Sequence, residues 1–228
     1  MTDASPARDR VAVLGAGAIG QALAQVARAR GADVLLLGRP HTDPTRPDVF
    51  AAAAEAAGEE LSHVIVATGL LHRDGRGPER DLRQIDPDWL IENFRANAVV
   101  PALAARFWAP RLRRAGRAVF AVLTARVGSI TDNRLGGWYA YRMSKAAANQ
   151  LVRTLSVELA RKRPEACVVA LHPGTVDTPM SRPFQRNLKP GQLRSPEAAA
   201  RDLWAVMDRL TAQDTGRFLA WDGREIPW

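Results

Sequence analysis

Tyr141 and Lys145 stand four residues apart in the run Tyr141-Arg142-Met143-Ser144-Lys145. If that run is helical, both side chains rise from one face, one turn apart. A free phenol titrates at about pH 10 and is a poor acid or base near neutrality. An ammonium held beside it favours the phenolate and moves the proton toward the working range. The pair is therefore a candidate proton-transfer device, and a second motif indicates what the proton would accompany. Gly15-Ala16-Gly17-Ala18-Ile19-Gly20 follows the apolar run Val11–Leu14 and opens a helical stretch. In that setting Gly15 permits a tight turn, Gly17 lets the main chain approach a pyrophosphate, and Gly20 lets helix and strand pack closely. The helix start at Ala18 and Ile19 offers unpaired N–H groups and a partial positive charge to the phosphates. Proton transfer beside a nicotinamide dinucleotide implies carbonyl–alcohol redox chemistry.

The second apolar run ends Leu37-Gly38-Arg39, with no Asp or Glu until Asp43. Folds that bind NAD place an acidic residue at this point for the ribose hydroxyls. A guanidinium instead suits a 2′-phosphate as a charge-assisted fork. NADP (NADPH) is thus expected over NAD, with Arg39 simply pointing into water as the other reading.

These residues need a scaffold. Five continuous apolar runs, Val11–Leu14, Val34–Leu37, Val64–Ala67, Ala118–Leu123 and Cys167–Leu171, read as strands buried on both faces. Phe218–Trp221 is a weaker sixth. Helices are predicted from Ile19 to Arg30, stopping at Gly31; from Asp86-Pro87 to Trp108, with a kink at Pro101; from Tyr139 to Arg161; and from Ser195-Pro196 to Leu210. The alternation predicts an α/β Rossmann fold: a doubly wound, mainly parallel sheet with helices on both faces. One domain is expected over 11–228, after a flexible N-terminus at 1–10. The stretch Arg39–Asp48 carries three prolines and reads as loop, with at most a vestige of a strand near His41–Thr45. Ala51–Ala57 reads as a short surface helix.

Composition narrows the field of functions. The chain has 228 residues and 46% hydrophobic content, enough for one substantial core. The net charge of +8 is spread over scattered arginines without a block of like charge, so no nucleic-acid partner is expected. The densest group, Arg111, Arg113, Arg114 and Arg117, reads as a helix end. No run approaches the roughly 20 apolar residues that span a bilayer, and no signal peptide is evident, so a cytoplasmic protein away from membranes is expected. Cys167 reads as a small buried hydrophobe. His41, His63 and His72 lack metal-ligand spacing, and no metal is expected.

Together the landmarks resemble the short-chain dehydrogenase/reductase family across nearly the whole chain. They are the glycine loop, Asn97, Tyr141 with Lys145, and Pro173-Gly174. Val127-Gly128-Ser129-Ile130, Gly136-Gly137-Trp138-Tyr139-Ala140-Tyr141, His172-Pro173-Gly174 and Trp221-Asp222-Gly223 are similar to its C-factor-like branch, which includes sniffer-type carbonyl reductases. The resemblance implies that Tyr141 exchanges a proton with a small carbonyl or alcohol substrate. Lys145 would lower the tyrosine pKa and hold the nicotinamide ribose, and Asn97 would support a water relay. Ala67, Thr68 and Gly69 would border the adenosine, while Pro173, Gly174, Val176 and Thr175 or Thr178 would flank the nicotinamide. It also implies a homodimer or homotetramer built on helices 86–108 and 139–161.

The chain departs from the family pattern in three places. The glycine loop is one residue short. Val66-Ala67-Thr68-Gly69 stands where the family has N-N-A-G. Alignment on Gly128 puts Ala125 at the place of the family's carbonyl-polarising serine. Ser129 is the favoured substitute, with Thr124 or no hydroxyl as alternatives. The departures leave a second reading open, a catalytically weak cofactor-binding protein in signalling or regulation. Trp138, Phe184 and Trp228 read as substrate-site lining or as packing, His172 as structural, and the loop Pro179–Pro190 as a lid or a flexible connection.

Overall fold

The computed structural model describes residues 8–228. Of the ten N-terminal residues expected to be flexible, 1–7 lie outside the described residues. Six strands, β1 (Arg10–Leu14), β2 (Asp33–Leu37), β3 (His63–Val66), β4 (Ala118–Leu123), β5 (Ala166–His172) and β8 (Phe218–Ala220), form one sheet in the order β2-β1-β3-β4-β5-β8, every neighbouring pair parallel. A second, two-residue parallel pair joins β6 (Thr175–Val176) to β7 (Leu193–Arg194). The strands read as unbroken apolar runs because alternate side chains enter two different cores. Ala12, Leu14, Phe120, Val122, Val168 and Ala170 face one; Val11, Val13, Val119, Ala121, Cys167 and Val169 face the other.

Helices α1 (Ala18–Ala29) and α6 (Pro196–Arg209) cover the second face through Leu23, Leu203, Trp204 and Met207. Helices α2 (Pro47–Ala57), α4 (Val100–Trp108) and α5 (Tyr139–Lys162) cover the first through Phe50, Trp108, Val152 and Leu159. The architecture is the expected single-domain, doubly wound fold. The alanine-rich segment is longer than predicted and belongs to the core, with Phe50 fully buried. His41–Thr45 forms turns, and β2 is the edge of the sheet.

The helix predicted over 86–108 is three pieces: α3 (Pro87–Phe94), a π-helical turn Arg95–Val99, and α4. Asp86 caps it, its carboxylate accepting from Trp89 N. Pro101 has no N–H for the carbonyl of Asn97, and the N–H of Val100 reaches back five residues to Arg95. The widened turn turns Asn97 inward, where it is fully buried. The loops at the carboxyl ends of β1, β3, β4 and β5 stand at the position where parallel sheets of this kind hold ligands.

Candidate active site

The glycine loop is built by close approach. Gly15 has φ 123°, and a Cβ there would stand 2.7 Å from the carbonyl carbon of Ala67 and 2.9 Å from Thr68 N. At Gly20 it would stand 1.8 Å from the Gly15 carbonyl oxygen. Gly17 differs, since a Cβ there meets nothing within 4 Å. Gly17 also starts α1 without a side-chain cap. The first N–H groups of α1, at Ala18 and Ile19, therefore begin a helix at open space, and a dinucleotide pyrophosphate fits that cradle.

Arg39 lies beside this loop. Gly15 N donates to Leu37 O at 2.7 Å, and the ideal Cβ of Gly38 is 3.0 Å from Ala16 Cβ. The Arg39 side chain is exposed, and among the described residues it has no carboxylate within 4 Å. It is free to meet a phosphate.

Gly69 joins the cradle to the titratable pair. A Cβ on it would lie 3.5 Å from Asn97 Oδ1, 3.5 Å from Lys145 Nζ and 3.6 Å from Met180 Cε. Asn97 grips the neighbouring residue twice: its Oδ1 accepts from Leu70 N and its Nδ2 donates to Leu70 O, both at 2.8 Å. The same Nδ2 reaches Ser144 Oγ at 3.0 Å, and Ser144 in turn donates to Tyr141 O at 2.9 Å. Asn97 thereby steadies the strand-end backbone that lacks the family's amide side chains. Thr68 Oγ1 is buried here without a protein partner.

Tyr141 and Lys145 share one face of α5 and are both buried, with Lys145 only 4% exposed. Lys145 Nζ donates to Leu123 O at 3.1 Å and stands 5.8 Å from the centroid of the Tyr141 ring. Burial drives the amine down to about 8, since the charged form loses water. The same burial pushes the Tyr141 phenol up. Burial thus opposes the lowering of the phenol expected from its neighbour.

Ser129 is buried beyond the short turn Arg126–Gly128, and its oxygen accepts from Asp132 N at 3.0 Å, a loop bond. Thr124 is buried with its hydroxyl unpartnered, and Ala125 is partly exposed. After β5, Gly174 (φ 77°) leaves 3.0 Å between an added Cβ and the Trp221 ring. Pro173 precedes it. Val176 is buried in β6, while the Thr178 hydroxyl and carbonyl accept from Ser181 N. His172 is held neutral by burial, its pKa down to about 4.

The loop between β6 and β7 folds over this ground. Met180 reaches toward Gly69, and Phe184 packs 4.9 Å from Trp138 and 6.0 Å from His72. His72 Nε2 lies 3.2 Å from the carbonyls of both Pro179 and Met180. Trp138 also meets the Tyr141 ring edge-on at 6.2 Å. Trp228 instead stacks on Phe218, away from this group. Sequence reasoning missed Met180, Ser144 and Glu79. Met180 and Ser144 stood inside segments already singled out, whereas Glu79, whose carboxylate bonds Ala140 N, carried no local signal.

Comparison with known proteins accords with this fold. A family profile described as enoyl-(acyl carrier protein) reductase matches residues 40–205, a segment that begins after the glycine loop and includes Asn97, Tyr141 and Lys145. The C-signal of Myxococcus xanthus is 38% identical over 148 residues, 64% of this chain and 83% of that protein. A 1-hydroxy-2-glutathionyl-2-methyl-3-butene dehydrogenase of Rhodococcus sp. (strain AD45) is 31% identical over 206 residues, 87% of this chain and 84% of its own. Among solved structures, the carbonyl reductase Sniffer of D. melanogaster superposes with a TM-score of 0.78 at 21% identity, covering 97% of this chain and 100% of the other. An NADPH-bound carbonyl reductase from chicken fatty liver gives 0.79 at 22%, covering 97% and 95%. Those two likenesses speak for the fold, and the profile and the Rhodococcus enzyme for descent: this chain belongs to the short-chain dehydrogenase/reductase family of oxidoreductases.

Proposed function

We propose that the protein is an NADPH-dependent carbonyl reductase acting on small aldehydes or ketones, with Tyr141 as proton donor. The observation that carries this reading is the buried Tyr141–Lys145 pair beside Gly69, one residue from the backbone that packs on Gly15. Gly15, Gly17, Ala18, Ile19 and Gly20 would hold the pyrophosphate, and Arg39 the 2′-phosphate. Ala67, Thr68 and Gly69 would border the adenosine and ribose; Pro173, Gly174, Val176 and Thr178 would border the nicotinamide. When bound, that group supplies a hydride to the carbonyl carbon. Tyr141 gives its proton to the carbonyl oxygen, so that C=O becomes an alcohol. Lys145 would donate to the ribose and stabilise the phenolate left behind. Asn97 holds the turn that carries both, and its carbonyl, freed by Pro101, accepts from a water on the path that reprotonates Tyr141. Met180, Phe184 and Trp138 exclude bulk water from the reacting atoms.

The test is NADPH consumption across a panel of small carbonyl compounds, with Tyr141→Phe as control. Turnover in the wild-type chain and its loss in the variant, with NADPH still raising the melting temperature of both, is the expected result. Full NADPH binding with no turnover on any carbonyl would defeat it. Ala125 favours a second reading, a weakly catalytic cofactor binder, because alanine cannot donate to a substrate oxygen. Ala125→Ser separates the two. A rise in kcat of about 10²-fold marks a weakened site, since one oxyanion donor contributes on that order. Exposed Ile91, Val99, Met143 and Val157 on the α3–α4 and α5 surfaces support assembly as a homodimer or homotetramer through those helices.

A further inference from the structure

The helix that carries Tyr141 and Lys145 starts without a cap of its own. Trp138 occupies the N-cap position with a left-handed backbone, φ 54°, and its side chain makes no capping bond. Gly136 (φ 63°) and Gly137 (φ 64°) precede it in the same region. The last of three consecutive left-handed residues is thus a bulky indole. Such a conformation persists only where its surroundings over-determine it, and it often marks a functional site.

Two side chains hold it. Glu79 lies in the loop between β3 and α3 and is 2% exposed. Its carbonyl accepts from Trp138 N at 2.5 Å, and its carboxylate accepts from Ala140 N at 3.1 and 3.3 Å. A Cβ on Gly137 would stand 3.1 Å from the Glu79 carbonyl oxygen, so the two segments are pressed together. Arg142 ties down the other side, donating to the carbonyls of Gly136, Gly137 and Val127 at 3.2, 3.0 and 3.3 Å. Among the described residues, no cationic nitrogen lies within 4 Å of the Glu79 carboxylate. A buried carboxylate without a counter-ion needs another source of positive potential, and the first N–H groups of α5 supply it.

Ala140 directly precedes Tyr141, and Trp138 touches both the Tyr141 ring and Phe184 of the overlying loop. A shift at the start of α5 therefore swings the phenol and one wall of the site together. We propose that Glu79 is a positioning residue, clamping the first turn of α5 so that Tyr141 meets the substrate oxygen at the productive angle. The proposal rests on the reading of Tyr141 as proton donor.

The test compares Glu79→Gln, Glu79→Asp and Glu79→Ala in the full chain, using a carbonyl substrate found in the panel. Gln keeps the length and an acceptor oxygen; Asp withdraws the acceptor by one methylene. The Gln variant is expected to keep kcat within about fivefold, the worth of one exchanged hydrogen bond. Asp and Ala are expected to lose about 10²-fold in kcat, the effect of a misplacement on the order of 1 Å. NADPH affinity should hold in all three. Asp keeps the comparison readable if the Ala variant does not accumulate as folded protein. Wild-type kcat in Glu79→Asp overturns the proposal, as does a loss of kcat matched by an equal loss of NADPH affinity, which marks general loosening. If the wild-type chain turns over nothing, it is the carbonyl-reductase reading that fails. The clamp is then read by amide exchange: Ala140 and Tyr141 must exchange faster in Glu79→Asp than in Glu79→Gln while α6 stays unchanged, and equal exchange overturns it.

Discussion

Gly128 lies flat against α5, and a methyl group there has nowhere to go. A Cβ on it would stand 2.9 Å from the carbonyl carbon of Lys145, 2.9 Å from Lys145 Cβ and 3.1 Å from Asn149 Nδ2. Carbon pairs rest at about 3.5–4.0 Å, so Gly128→Ala demands a relative shift of about 0.6–1 Å between the turn and the helix. Gly128 is not among the positive-φ glycines, so steric contact is the whole of the cost. No rotamer change relieves it, because the opposing atoms are main chain and the root of a side chain. Overpacking of this kind costs about 1–3 kcal/mol, or roughly 2–4 °C of melting temperature per kcal/mol in a chain of this size. A displacement of Lys145 on that scale predicts a fall in kcat/KM of about 10²-fold. Gly128 meets Lys145 and Asn149 and not the glycine loop, so NADPH should still protect the variant against heat, by less than the wild type because Lys145 is displaced from its proposed place at the ribose. Scanning calorimetry with and without NADPH, beside steady-state kinetics, reads all three quantities. Wild-type melting together with wild-type kcat/KM would refute the reasoning, because it would mean that α5 yields to the methyl without moving Lys145.

Two further outcomes follow from charge. Lys145 titrates at about 8 in the fold against 10.5 in the unfolded chain, so the unfolded chain binds more protons between those values and stability rises with pH across that window. Below pH 8 the burial penalty is fully present, up to roughly 3 kcal/mol. Lys145→Met should therefore melt higher than wild type at pH 7, gain less at pH 10, and lose turnover; a lower melting temperature at pH 7 would contradict the desolvated amine. Arg39→Asp should reverse the proposed preference for NADPH over NADH. The loss for NADPH should be about 10–100-fold, the worth of a charge-assisted pair, read as Kd by fluorescence titration. Unchanged NADPH affinity would return Arg39 to the role of a solvated side chain.

What could be read from the sequence was whatever chemistry or packing forces onto residue type. The strands showed because both faces of β1, β3, β4 and β5 are buried, which confines polar residues such as Arg10, His63 and His172 to the strand ends. Gly15 and Gly20 showed because the loop tolerates nothing larger. Tyr141 and Lys145 showed because a four-residue spacing puts both on one face of α5, where both are buried. The rest depended on encounters between distant segments. Asn97 was found, but its engagement with Leu70 exists only once the π turn has turned it inward. Ser129 was found, but only the fold shows that its oxygen accepts from Asp132 N. The direction of the Tyr141 shift depends on depth of burial, which spacing does not encode. Glu79 stands in an irregular loop and gains meaning from a partner 61 residues away.

The ladder between Thr175–Val176 and Leu193–Arg194 has its own consequence. It ties both feet of the segment 177–192 together, and Arg194 is further pinned face-on to Trp221 at 3.7 Å. The span carrying Met180 and Phe184 is thus a handle fixed at its base, able to tip but not to drift from the molecule. A protease that nicked it would leave the two halves gripped by the ladder. The body would stay whole, with the ground around Gly69 and Trp138 left bare.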